Sequence, residues 1–135
     1  MADVSVTAAN VSAAVSAVIG SATAGATITA GQSVYINTSD NKAYLADADT
    51  LAASAAAGIA LNGASDGQPI DYIQVGNVDV GGTLTLGAVY VVSTTAGGIA
   101  PLADLGTGDY VTVLGVATAT DNLLVNLIVS NTAEP

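Results

Sequence analysis

The sequence predicts an all-β protein: a compact β-barrel or sandwich built from two similar halves, with one short alanine-rich helix and an extended N-terminal arm. Three observations predict it. Stretches that alternate apolar and small polar residues are punctuated by Gly, Asn and Asp turn signals. One of them, Thr27-Ile28-Thr29-Ala30-Gly31-Gln32-Ser33-Val34-Tyr35-Ile36, is echoed as Thr83-Leu84-Thr85-Leu86-Gly87-Ala88-Val89-Tyr90-Val91-Val92. A single run, Leu51-Ala52-Ala53-Ser54-Ala55-Ala56-Ala57, is rich in the best helix former.

In chain order, residues 3–6 alternate as a short strand with Val4 and Val6 on one face, and residues 7–10 read as a turn. Val11, Val15, Val18 and Ile19 fall at helical spacing. β-Branched residues and serines form helix poorly, so residues 11–19 are expected to be extended, with at most one turn of helix. Residues 20–26 are small and suit a hinge. The chain therefore divides into an arm, 1–26, and one β domain, 27–135. An arm of this kind buries too little to fold alone and is expected to lie along a partner, to fray as a terminus or to complete its own barrel. On the partner reading, its removal leaves the body folded. Its apolar residues (Val4, Val6, Val11, Val15, Val18 and Ile19), together with Leu51 on the helix, are the candidate partner interface.

Within the domain, a strand through Val34-Tyr35-Ile36 turns at Ser39-Asp40-Asn41-Lys42 and returns through Ala43-Tyr44-Leu45-Ala46. Asp and Asn suit such turns because their side chains mimic backbone hydrogen bonds and tolerate left-handed geometry. Asp47-Ala48-Asp49-Thr50 opens the helix and Gly58 is placed to end it. Ile59-Ala60-Leu61 and residues 70–75 read as strands, with Asn62-Gly63 and Asp66-Gly67 as turns. The second half repeats this order with a turn at Ala96-Gly97-Gly98, a helix shrunk to Leu105-Gly106-Thr107-Gly108, and closing strands at 109–114 and 123–129.

Six anchors relate the halves, about 27–79 and 83–130. Thr27 pairs with Thr83, Tyr35 with Tyr90 and Leu45-Ala46-Asp47 with Leu102-Ala103-Asp104. Gly58-Ile59-Ala60 pairs with Gly115-Val116-Ala117, Asp66 with Asp121 and Val75 with Val129. Two copies cannot stack into a solenoid, so they are expected to close on each other.

Composition narrows function. The chain has 135 residues, enough for one core, but 27 of them are alanine and all five aromatics are tyrosine. Charged residues make up 9 %, against roughly 25 % in an ordinary domain, so the surface is largely Ala, Gly, Ser, Thr and Asn. Such a surface suits packing against neighbours or a hardy extracellular or virion setting. Lys42 is the one basic residue and the net charge is −10. Nucleic-acid binding and attraction to an anionic membrane both need Lys and Arg, and both are excluded. There is no cysteine for disulfides or thiolate sites, no basic signal-peptide start and no apolar run of transmembrane length. The chain is expected to be made in a cytoplasm.

Candidate chemistry is sparse. Without His or Cys and with one Lys, the familiar nucleophile–base pairs cannot be assembled, and the protein is expected not to be an enzyme and to hold no cofactor or metal. Gly81-Gly82 and Gly97-Gly98 do not lead a strand into a helix beside a Lys, so they are turns rather than phosphate cradles. Asp47 and Asp49 lack the loop Gly and distal Glu of an EF-hand, and helix capping accounts for them better. Tyr35 and Tyr90 occupy equivalent repeat positions and are expected to be half-buried sheet residues with satisfied hydroxyls.

A family resemblance rests on Ala24-Gly25, Ile28-Thr29-Ala30-Gly31-Gln32, Val34-Tyr35, Leu45-Ala46-Asp47-Ala48, Gly58-Ile59-Ala60-Leu61 and Gly67-Gln68-Pro69. Gly87, Val89-Tyr90, Ala103-Asp104-Leu105 and Leu114-Gly115-Val116-Ala117 continue it. Over about residues 24–130 this pattern resembles the capsid decoration (cement) proteins of tailed bacteriophages; the arm matches least. The resemblance implies a small β-rich virion module on the capsid exterior, a homo-oligomer (a trimer in preference to a dimer) that bridges copies of the major capsid protein and resists internal DNA pressure. Two other readings stand beside it: a module of a bacterial surface or fibre protein, and a carbohydrate-binding or hydrolytic virion module, for which the absence of Trp and Phe is unfavourable.

Overall fold

Local turn chemistry builds the first hairpin. Asn37 Oδ1 accepts the Ser39 N–H at 2.8 Å, Asp40 Oδ1 accepts the Lys42 N–H at 3.0 Å, and Asn41 takes the left-handed conformation at φ 58°. This joins β3 (Ser33–Asn37) to β4 (Lys42–Leu45), one pair of ten strands in a computed structural model that describes residues 3–133. The others are β1 (Ser12–Ala13), β2 (Val18–Ala24), β5 (Gly58–Ala60), β6 (Pro69–Asp79), β7 (Val89–Val92), β8 (Ile99–Pro101), β9 (Tyr110–Ala117) and β10 (Asn122–Ala133). One α-helix, α1 (Leu51–Ser54), and two 3-10 turns complete the described residues, so the all-β architecture with one short helix is as expected.

Five strands close a ring. β2 runs parallel to β4, β4 pairs with β3, β3 with β5, β5 with β6, and β6 returns to β2 over residues 69–75. Inside it lie Ala24, Ile28, Val34, Ala43, Ala60, Ile70 and Tyr72. The far end of β6 leaves the ring and starts a second array, β6-β10-β9-β7-β8, with β1 on the opposite edge of β6. Residues 3–7 lie between its two ends: the Val4 N–H bonds to the Ile99 C=O and the Thr7 N–H to the Gly81 C=O, each at 2.8 Å. This array covers the larger core, which includes Ile59, Ile73, Val78, Val92, Ile99, Leu114, Leu123 and Val125.

The β5–β6 ladder belongs to both cores. Ile59 stands opposite Ile73 and both face the larger core, whereas Ala60 stands opposite Tyr72 and both face the ring interior. Every residue of β5 is buried. A fully buried Ile contributes roughly 1.5–3 kcal/mol, so each side of this wall holds the other in place.

The two halves share one ladder order, β4-β3-β5-β6 and β8-β7-β9-β10. Tyr35 pairs with Tyr44 and Tyr90 with Pro101, the residues just before the anchors Leu45 and Leu102. Gly58 and Gly115 also match physically: a Cβ on the first would collide with the Ile73 carbonyl oxygen, and on the second with the Leu124 carbonyl oxygen. Two anchors slip: Gly58 faces Val34 whereas Gly115 faces Tyr90, which sets the buried Tyr90 level with Val34 on that side, and the last anchor shifts as well. Ala60 faces Tyr72 and Ala117 faces Leu123, which sets Val75 level with Asn126 rather than Val129.

Two expectations need correction. The helix stops at Ser54, because the Ser54 hydroxyl bonds back to Leu51 C=O and the Ala57 N–H is drawn 2.7 Å onto Val34 C=O, feeding the chain into β5. Its cap is Thr50, whose hydroxyl accepts the Ala53 N–H at 3.4 Å, while Asp47 instead accepts the Asp49 N–H at 2.9 Å in a turn of its own. The expected hinge is strand: residues 20–24 belong to β2, and the residues are small because Gly20 lies against the Tyr72 ring and Gly25 against the Tyr44 ring. Removing residues 2–22 therefore takes away most of the strand that closes the ring, so it is not a neutral truncation.

Gly58→Ala and Gly115→Ala are each expected to cost about 1–3 kcal/mol, because the neighbouring strand must move. Gly63→Ala, at an exposed site with no such contact, should stay within about 0.5 kcal/mol. Urea unfolding of the three variants measures the difference.

Candidate interaction surface

Strand pairing fixes which side chains share the outer face of the shared sheet. Val18 on β2 stands opposite Val75 on β6, which stands opposite Asn126 on β10. One step along, Asn77 on β6 stands opposite Leu124 on β10, Leu124 opposite Val116 on β9, and Val116 opposite Val89 on β7. Side chains opposite each other, or two apart on one strand, point to the same face. Ile128, two residues beyond Asn126, extends the second strand of this face.

Val18, Val75, Val116, Leu124 and Ile128 are each between 39 and 57 % exposed, and neither row contains a charged residue. Asn77 is partly engaged, its Oδ1 accepting the Thr118 hydroxyl at 3.0 Å. Of the ten aspartates only Asp71 and Asp79 lie in strands. Acidic charge is thus concentrated at turns, and the two rows are uncharged, with Asn77 and Asn126 between their apolar side chains. Leu86 and Leu102 are exposed singly, whereas Val18, Val75, Val116 and Leu124 lie in adjoining rows.

The expected interface residues separate into three groups. Val4 and Val11 are partly buried against the larger core, and Val6 is partly buried over Gly31. Val15 is fully exposed in the turn between β1 and β2. Val18 and Ile19 are half-exposed on β2, with Val18 joining the outer rows, while Leu51 is half-exposed on α1, outside those rows. Val75, Val116, Leu124 and Ile128 were not expected there. The signal for Leu124 and Ile128 was the unbroken run Leu123-Leu124-Val125 followed by Leu127-Ile128-Val129. A strand that is apolar at consecutive positions presents apolar side chains on both faces.

Concavities also occur among the described residues. A groove of about 460 Å³ is lined by Tyr35, Ile36, Asn37, Thr38, Ser39, Ala52 and Ala55. A flatter hollow of about 440 Å³ lies among Asn10, Asp79, Gly81, Gly82, Thr83 and Asp121. Asp79 uses its carboxylate locally, accepting the Gly81 N–H at 2.9 Å. Among the described residues no three His, Cys, Asp or Glu side chains gather as a metal site, and no helix is long and apolar enough to cross a membrane. Tyr90 is buried, its hydroxyl accepting the Thr85 N–H at 2.8 Å; Tyr35 is half-buried, with its ring 6.0 Å from that of Tyr44.

Electrostatics are local as well. The Tyr44 hydroxyl, 2.6 Å from Asp40 Oδ2, holds the Asp40 carboxyl below its usual range, helped by the Lys42 backbone N–H. Asp49 is pushed up, first by the charge of Asp47, then by desolvation and Asp109. Lys42 sits 3.4 Å from Asp66 in an exposed pair. No protein-family model, curated protein or solved structure matches the chain.

The raised Asp49 value sets a pH dependence. A carboxyl whose folded value lies above its unfolded value stabilises the fold only when protonated, an effect complete below the ordinary 3.8 and lost as pH rises through the folded value. Asp49→Asn, which removes this repulsion, should raise the melting temperature at pH 7 and converge on wild type below pH 3.8. Thermal melts across pH 3–8 check this.

Proposed function

We propose that the chain is a structural virion protein of the cement type, a homo-oligomer that binds the outside of an expanded phage head and bridges neighbouring copies of the major capsid protein. The observation that carries this reading is the uncharged apolar face formed by Val18, Val75, Leu124 and Val116 on a chain of net charge −10. Acidity keeps free copies apart in solution, and an uncharged face lets them meet a specific surface without desolvating carboxylates. The resemblance of the sequence pattern to decoration proteins supports the same reading, as does a turn-dense fold whose aspartates serve backbone turns.

The mechanism is linkage. A protein that binds the expanded lattice and not its precursor stabilises that lattice by mass action. Repetition over a shell turns modest contacts into high avidity. No catalysis is assigned to any residue. The groove beside Tyr35, with Asn37, Thr38 and Ser39 on its wall, favours a second reading, a glycan-binding module of a surface or fibre protein, because a tyrosine face with amide and hydroxyl neighbours suits a sugar ring.

Sedimentation of the purified protein with and without empty expanded heads separates the two. Co-sedimentation that Val75→Asp or Leu124→Asp weakens roughly tenfold or more, with both variants still folded, is the result expected of a cement. Failure to co-sediment with any head sinks that reading, and glycan-array binding lost in Tyr35→Ala favours the second.

A further inference from the structure

Residues 3–7 lie in an open surface channel, with Ser5 and Thr7 exposed, whose walls come from distant parts of the chain. At one end the Asp3 carboxylate accepts the Ser93 hydroxyl, with both oxygens at 2.8 Å, and Val4 N–H bonds to Ile99 C=O. At the other end Thr7 N–H bonds to Gly81 C=O. Between them Val4 packs against the larger core and Val6 covers Gly31. The walls are bare where the segment passes: a Cβ on Gly31 would collide with Val6, on Gly82 with the Ser5 carbonyl, and on Gly98 with the Asp3 carboxylate.

These contacts recognise an extended backbone with an acidic first residue and apolar second and fourth residues. The link that follows is much looser. Residues 8–10 form one 3-10 turn with no buried residue, and the bonds Asn10 N–H to Thr7 C=O and Val11 N–H to Ala8 C=O are local to it. Extending that turn breaks nothing in the channel.

We propose that the channel is a peptide-binding site for residues 3–7 that accepts this segment from a second copy of the chain as well as from its own, so that copies join by exchanging it. The recognition elements are the Ser93 hydroxyl, the Ile99 and Gly81 carbonyls and the space above Gly31, none of which depends on the connection through residues 8–10. This is strand addition with a built-in occupant, and it stands apart from the capsid reading because its test needs no capsid.

The test uses full-length chains and a synthetic peptide of residues 1–10. Tagged and untagged wild-type chains, unfolded and refolded together at high concentration, are expected to co-elute on the tag. Excess peptide should abolish co-elution, while a peptide with Asp at positions 4 and 6 should not. In parallel, the V4D/V6D chain, whose own segment cannot seat, should melt lower than wild type and regain on the order of 5 °C when the wild-type peptide binds. Co-elution that is absent or insensitive to the peptide overturns the proposal. So does a V4D/V6D chain that melts like wild type or does not respond to the peptide.

Discussion

The fold depends on the β5–β6 ladder, where neighbouring residues are buried on opposite sides. β6 closes the ring with its first seven residues and founds the second array with its last five, Val75 serving both. At the crossing, Tyr72 points into one core and Ile73 into the other. A stretch with both faces covered cannot alternate apolar with polar, and here that requirement falls on Tyr72-Ile73 of β6 and on the whole of β5. β5 is Gly58-Ile59-Ala60: the pleat puts Ile59 and Ala60 on opposite faces, and the glycine leaves room for the Ile73 carbonyl. A core made mostly of Ala, Val and Ile suits this spacing, because larger side chains would force the wall apart.

Much of this was legible. The β3–β4 hairpin is encoded within six residues, where Asn37, Asp40 and Asn41 each do a local backbone job. The echo of Gly58-Ile59-Ala60 in Gly115-Val116-Ala117 was visible as a pattern, and its cause, a carbonyl from the next strand in each half, needed the structure. What misled were residues whose reason lies far away. Gly20 and Gly25 read as a hinge because the Tyr72 and Tyr44 rings they accommodate come later in the sequence. Ala55-Ala56-Ala57 read as helix because alanine favours it, but the Val34 carbonyl and burial of Ala56 outweigh a propensity worth tenths of a kcal/mol per residue.

The outer face was legible in part. Val18 was expected at an interface, and strand pairing adds Val75, Leu124 and Val116 beside it. Residues grouped as one arm have unlike fates: Val4 and Val11 help fill a core, while Val15 projects into solvent. Apolar character alone could not separate them, because the distinction is set by which strand each residue meets. On the proposed reading this division has a use. The half-exposed valines are free to meet a lattice, and the buried ones fasten the first residues to the body.

Ring closure also orders events in time. β2 finds its main partner only when residues 69–75 exist, and residues 3–7 bond to Gly81 and Ile99. On a ribosome β2 therefore waits for about half of the chain before its main partner is made, and the ring, drawn from residues 18–79, can close before the second array exists. Nascent chains would carry β2 as an unpaired strand for many residues of synthesis, and crowded polysomes would bring several such strands together. The sparse Ala, Ser, Gly and Thr side chains of Val18–Ala24 lower the hazard, since a strand poor in large apolar groups gains little from pairing with its like before its proper partner arrives.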